Sequence, residues 1–111
     1  MSLTIKFLAH VSLEADPITM YEADLTANLR RMSEAAGLLA PIWQPHHLGI
    51  VRAADLAPHL EKGLAALQER PEHFRGFQHP SGWGTYENLV SFCSDTLTAC
   101  NNFPFAQVWA A

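Results

Sequence analysis

The stretch HPSGWGTYENL, residues 79–89, gathers the densest set of groups in the chain that could meet a ligand. Gly82 and Gly84 flank Trp83, and Thr85, Tyr86 and Glu87 follow directly. Exposed amides at a glycine-rich helix start can hold an anion, with Trp83 and Tyr86 as walls. Glu87 would repel that anion, no Lys or Arg follows within the block, and neither G-x-x-x-x-G-K nor G-x-S-x-G is present. A neutral or polar ligand, or the side chain of a protein partner, therefore suits these residues better than phosphate. Ordinary helix-start physics accounts for the same residues. Thr85 is a natural N-cap, Glu87 lies near the positive end of the helix dipole, the glycines allow a sharp turn, and Trp83 can pack down as a hydrophobic staple.

Other reactive groups are scattered. Asp24 and Asn28 stand four apart, as do Asp55 and His59, spacings that a helix brings to one face. Each reads more simply as a solvated or capping pair. Ser81 lies close to His79, but no third group completes a nucleophile and base. None of the six histidines, His10, His46, His47, His59, His73 and His79, pairs at the i, i+4 spacing of a metal site, so neither metal nor cofactor is expected. Cys93 and Cys100 are seven apart in a helical pattern, which separates their Cα atoms by about 10.5 Å, beyond the roughly 7 Å a disulfide tolerates. They read as small buried apolar groups.

A single domain over residues 1–111 can position these groups. The chain is 49% hydrophobic and 16% charged, outside the range in which disorder is expected. Its formal charge is -4, from 11 acidic and 7 basic side chains, and the one adjacent basic pair is Arg30-Arg31. Nucleic-acid binding is not expected, because phosphate contacts need a clustered positive field. No apolar run spans a bilayer and the first residues do not resemble a signal peptide, so the expected location is cytoplasmic, with no membrane partner.

The elements follow from periodicity. Ile5, Phe7, Ala9, Val11 and Leu13 alternate as a half-buried strand ended by Asp16-Pro17. Thr19 and Glu22 have the spacing of a capping box, which predicts a first helix with Tyr21, Leu25, Leu29, Met32 and Ala36 as its stripe and Gly37 as its stop. Residues 40–51 form an irregular connection pinned by Ile42 and Trp43. A second helix carries Leu56, Leu60, Leu64 and Leu67, with Pro58 tolerable only near its first turn and Gly63 suggesting a close backbone approach. Phe74 and Phe77 plug the core from a short turn after Pro71. A third helix runs from Tyr86 through Leu89, Val90, Cys93, Thr96 and Leu97 to Cys100. Phe105, Val108 and Trp109 suggest a last strand. The fold class is thus α+β: three main helices packed with a small two-stranded sheet formed by the N- and C-terminal strands. Two strands make a marginal sheet, and a homodimer through an exposed edge or an apolar helix face is one way to extend it.

DLTANLRRMSEAAG at 24–37, paired with GWGTYENL at 82–89 and a helix ending near Cys100, resembles a family of small uncharacterised bacterial and phage proteins. Those proteins carry an N-x-T-x-N stretch and a GWG[TNS]YE block. Thr26, Asn28, Gly82, Trp83, Gly84, Tyr86 and Glu87 fit that pattern, while Asp24 stands where the family often has asparagine. The resemblance implies no reaction. It implies that the first and third helix starts converge, with Asp24, Thr26 and Asn28 on one wall of a cleft and Trp83, Tyr86 and Glu87 on the other.

The leading expectation is a non-catalytic binding or assembly module. The alternatives are a small-ligand-binding protein or enzyme that uses this cleft with Glu87 as base, and an acidic factor that mimics nucleic acid.

Overall fold

Leu3, Ile5 and Phe7 point to one side of strand β1 (Ser2–Ala9) and are buried. They set the plane on which the rest of the chain packs. The computed structural model describes residues 2–111. β1 is the central strand of a three-stranded antiparallel sheet of order β2-β1-β3, with β2 spanning Ile18–Thr26 and β3 Gln107–Ala110. The expected pairing of N- and C-terminal strands is present, with Ile5 opposite Ala110 and Leu8 opposite Gln107.

The third strand corrects the expected first helix. Residues 18–26 pair with β1, Leu3 opposite Leu25 and Phe7 opposite Tyr21, and the rings of Phe7 and Tyr21 meet at a centroid distance of 5.3 Å. Tyr21 and Leu25 are four apart, which places them on one face of a helix and equally on one face of a strand. The tie is broken by β1, which offers β2 a ladder of backbone bonds, broken only by a bulge opposite Phe7 and Leu8, and an aromatic cross-strand pair. Helix is confined to a 3₁₀ turn at Ala27–Leu29 and to α1 (Arg30–Ala35), with Gly37 beyond it at φ 75°. The strand β1 also ends four residues earlier than its alternation suggests, leaving Val11 and Leu13 exposed in the β1–β2 connection.

Among the described residues, five α-helices replace the three expected. Ile42, within α2 (Leu39–Trp43), is wholly buried, and a 3₁₀ turn at Pro45–Leu48 follows. α3 (Ala53–Glu69) buries Leu56, Leu60 and Leu67 along one stripe. Asp55 begins it, accepting from the backbone amides of Arg52 at 3.0 Å and Val51 at 3.3 Å, rather than reaching His59. Those two bonds hold its carboxyl below the usual range. Pro58 is the sixth helical residue, further in than the first turn. The close approach at Gly63 is real but is made by a side chain: an added Cβ would collide with Leu38 Cδ2. α4 (Pro71–Arg75) plants Phe74 in the core.

α5 (Tyr86–Asn102) starts at the predicted residue and packs along α3 under the sheet. Its buried stripe includes Tyr86, Leu89, Cys93, Thr96 and Cys100. Burial pushes both thiols up to about 12. The outer edge of β3 is covered: the Val108 amide donates to the Val51 carbonyl at 2.9 Å, and the Ala53 amide to the Ala106 carbonyl at 2.8 Å. The outer edge of β2 has no backbone partner among the described residues. No helix among them is long and apolar enough to cross a membrane.

Candidate functional site

Two glycines make the corner on which the site depends. Gly82 and Gly84 have φ of 80° and 88°, a region that L side chains rarely adopt, and the chain between them turns sharply into α5. Thr85 caps that helix by accepting from the Asn88 amide at 3.1 Å, while the Asn88 side chain accepts from the Thr85 amide at 3.0 Å. At Gly84 the corner touches the other motif: an added Cβ would stand 2.9 Å from Thr26 Cγ2 and 3.3 Å from Asn28 Cβ. The Asn28 side-chain amide donates to the Trp83 carbonyl at 3.3 Å. Two segments more than fifty residues apart in the chain are thereby held side by side.

Between them lies a cavity of about 340 Å³. Tyr21, Ala23, Asp24, Leu25 and Thr26 line it from β2, and Gly84, Asn88, Phe92 and Asp95 from α5 and its entry. Trp83 stands at its rim with 76% of its surface exposed, so it does not pack down as a staple. Asp24 belongs to a strand, not a helix, so it shares no helix face with Asn28; its carboxylate accepts a hydrogen bond from the Thr4 hydroxyl across the ladder. Tyr21 closes the inner wall, its hydroxyl 2.9 Å from Thr96 Oγ1, and burial pushes its phenol up from the ordinary value. Among the described residues no Lys, Arg or His lines the cavity, whereas Asp24 and Asp95 do.

Tyr86 and Glu87 face elsewhere. Tyr86 is buried and its hydroxyl donates to the Leu67 carbonyl at 2.7 Å, tying α5 to α3. Glu87 accepts from Arg75 Nη2 at 2.9 Å and Nε at 3.3 Å. These bonds to the guanidinium hold the Glu87 carboxyl below its ordinary value. Arg75 also stacks over the Tyr86 ring at 4.7 Å and bonds Glu72 at 2.6 Å. A general base needs a raised pKa and an open face toward substrate; Glu87 has neither.

An anion fares no better at the start of α5. The Tyr86 amide donates to Gln78 Oε1 at 2.9 Å and the Asn88 amide to Thr85, so two of the donors that would receive it are engaged. His79 Nδ1 lies 2.7 Å from Ser81 Oγ and accepts from the Ser81 amide at 3.1 Å, while the Trp83 amide donates to Ser81 Oγ at 3.2 Å. These bonds close a local turn leading into the corner. No group of three or more His, Cys, Asp or Glu that could hold a metal occurs among the described residues.

Sequence reasoning missed Tyr21, Asn88, Phe92 and Asp95 as lining. Asn88, Phe92 and Asp95 recur at i, i+4 and i+7 of α5, one face beside the buried stripe. That face becomes a wall only when β2 runs alongside, and β2 is the element read as a helix. Comparison with protein-family models, curated proteins and solved structures finds no match to the chain.

Proposed function

We propose that this chain is a non-catalytic binding module whose working surface is the cleft between β2 and the start of α5. The observation that carries the reading is Trp83, held exposed on a two-glycine corner at the rim of a cavity lined by Asp24 and Asp95. An exposed indole on a stiff backbone costs a protein apolar exposure, and it supplies a large, low-entropy contact surface to a partner. The lining selects the ligand class. Carboxylates without a facing cation favour neutral or cationic polar groups, which Trp83 can also meet through its ring face. Catalysis has no support from Glu87, which Arg75 engages outside the cleft.

Ligand-observed NMR with matched sets of cationic, neutral and anionic fragments tests this reading. Cationic and neutral fragments bind the wild type and are lost in Trp83→Ala, while the far-ultraviolet circular dichroism of that variant is unchanged. Binding dominated by anionic fragments, or unaffected by Trp83→Ala, contradicts it.

Self-association is a second reading, favoured by one observation. Val11, Val51 and Phe105 are each more than half exposed and line a cavity of about 490 Å³ at the opposite end of β1. Sedimentation equilibrium at about 100 µM reads it: a stable interface of the usual ~1,600 Å² gives a dimer mass, and the mass of one chain contradicts it.

A further inference from the structure

We propose that the open edge of β2, with the groove beside it, takes an extended peptide segment carrying lysine or arginine as an added strand. This rests on the binding-module reading and names its partner. A strand edge with free amides and carbonyls is a template for pairing. Of the two outer edges of this sheet, that of β3 is closed by Val51 and Ala53. That of β2 is open along a nine-residue strand, Ile18–Thr26.

The groove is long enough for a short extended segment. From Tyr21 to Thr26 β2 runs about 17 Å at 3.4 Å per residue. Asn88, Phe92 and Asp95 line its other side over about 10.5 Å of α5. In an added strand, alternate side chains turn to one face. Here one set meets Ala23 and the small exposed parts of Leu25 and Phe92, 4% and 6% of their surfaces, and Trp83 closes the end of the groove.

Charge decides the partner. Asp95 lines the groove from α5. On the outer face of β2, Asp24, bonded to the Thr4 hydroxyl, and Glu22, 3.4 Å from Lys6, set two carboxylates against one lysine beside the open edge. A basic side chain on the incoming strand neutralises this edge; an acidic one is repelled. The same charges disfavour a second copy of this chain. A two-fold antiparallel pairing that continues the sheet through Glu22, Ala23 or Asp24 sets carboxylate opposite carboxylate, which destabilises directly facing pairs.

The test uses the ¹⁵N-labelled chain and four probes: a blocked heptapeptide of alternating lysine and valine, its glutamate counterpart, the lysine peptide N-methylated at alternate amides, and N-acetyl-lysine-N-methylamide. The lysine peptide is expected to shift the amides of Ala23–Leu25 and Asn88–Asp95 and to slow hydrogen exchange along β2. N-methylation should weaken it by at least about tenfold, because main-chain bonds at roughly 1 kcal/mol each are removed without changing charge. The glutamate peptide and the Asp95→Lys variant should each weaken binding about fivefold. Equal binding by the N-methylated peptide overturns strand addition, and equal binding by the glutamate peptide overturns the choice of a basic partner; either result leaves the cleft as a binding surface. Concentration-dependent protection of β2 in the absence of peptide also overturns it, in favour of a second copy. Absence of any shift in the cleft with all four probes overturns both this proposal and the reading on which it rests.

Discussion

Gly84 sits against Thr26 so closely that no side chain fits between them: a Cβ there would stand 2.9 Å from Thr26 Cγ2 and 3.1 Å from Leu29 Cγ. The neighbouring Gly82 has a similar φ, 80° against 88°, but nothing lies within 4 Å of its added Cβ. Both alanine substitutions meet the left-handed penalty of about 1–2 kcal/mol. Gly84→Ala meets a clash as well. Chemical denaturation should show Gly84→Ala the more destabilising of the two by at least about 1 kcal/mol, the low end for overpacking. Equal losses would mean that the corner does not press on β2.

Gly63→Ala tests a second close contact. Alanine would ordinarily stabilise a helix interior by up to about 1 kcal/mol over glycine. Here its Cβ would collide with Leu38 Cδ2 and Cγ, on a side chain with no exposed surface. A net loss of about 1–3 kcal/mol is expected. Combining it with Leu38→Ala should cost less than the sum of the two single losses. Strict additivity would remove the contact from the account.

The legibility of the chain divides along the same lines. α5 is readable because Tyr86, Leu89, Cys93, Thr96 and Cys100 repeat at a period no strand shares, and Thr85 marks its start. β2 is not, since Tyr21 and Leu25 satisfy both periods and the deciding interaction is a ladder with residues some twenty positions away. The meeting of the Asp24–Asn28 and Trp83 segments could be anticipated from the motifs. The outward turn of Glu87 could not, because it depends on Arg75 from α4, a helix of five residues with little local signal.

The Arg75–Glu87 pair has a pH signature. The guanidinium bonds hold the folded Glu87 carboxyl below its unfolded value. Their stabilisation is therefore present above the unfolded carboxylate range and is lost as pH falls through the folded value. Glu87 is exposed and Arg75 partly so, and Glu87→Gln should change stability at pH 7 no more than an ordinary surface substitution does. It should also flatten the acid limb of the stability–pH curve. An acid limb identical to the wild type would show the pair to be unformed in solution.

The two cysteines act in the opposite direction. Burial raises both thiols to about 12, whereas an unfolded cysteine ionises near 8.5. Unfolding then releases protons at alkaline pH, so stability should fall as pH rises from about 8.5 toward 12. At pH 8 a disulfide-exchange reagent should leave the native chain untouched while labelling both thiols of the unfolded chain. Rapid labelling of either native thiol would contradict their placement in the core.

The central claim is that the space between β2 and α5 is where this protein binds, and a ¹⁵N–¹H shift map with the strongest cationic fragment from the NMR screen tests it most directly. The account predicts that the largest shifts fall on Ala23, Thr26, Asn88, Asp95 and the indole N–H of Trp83. Shifts confined to Val11, Val51 and Phe105, or to the Arg75–Glu87 surface, would contradict it.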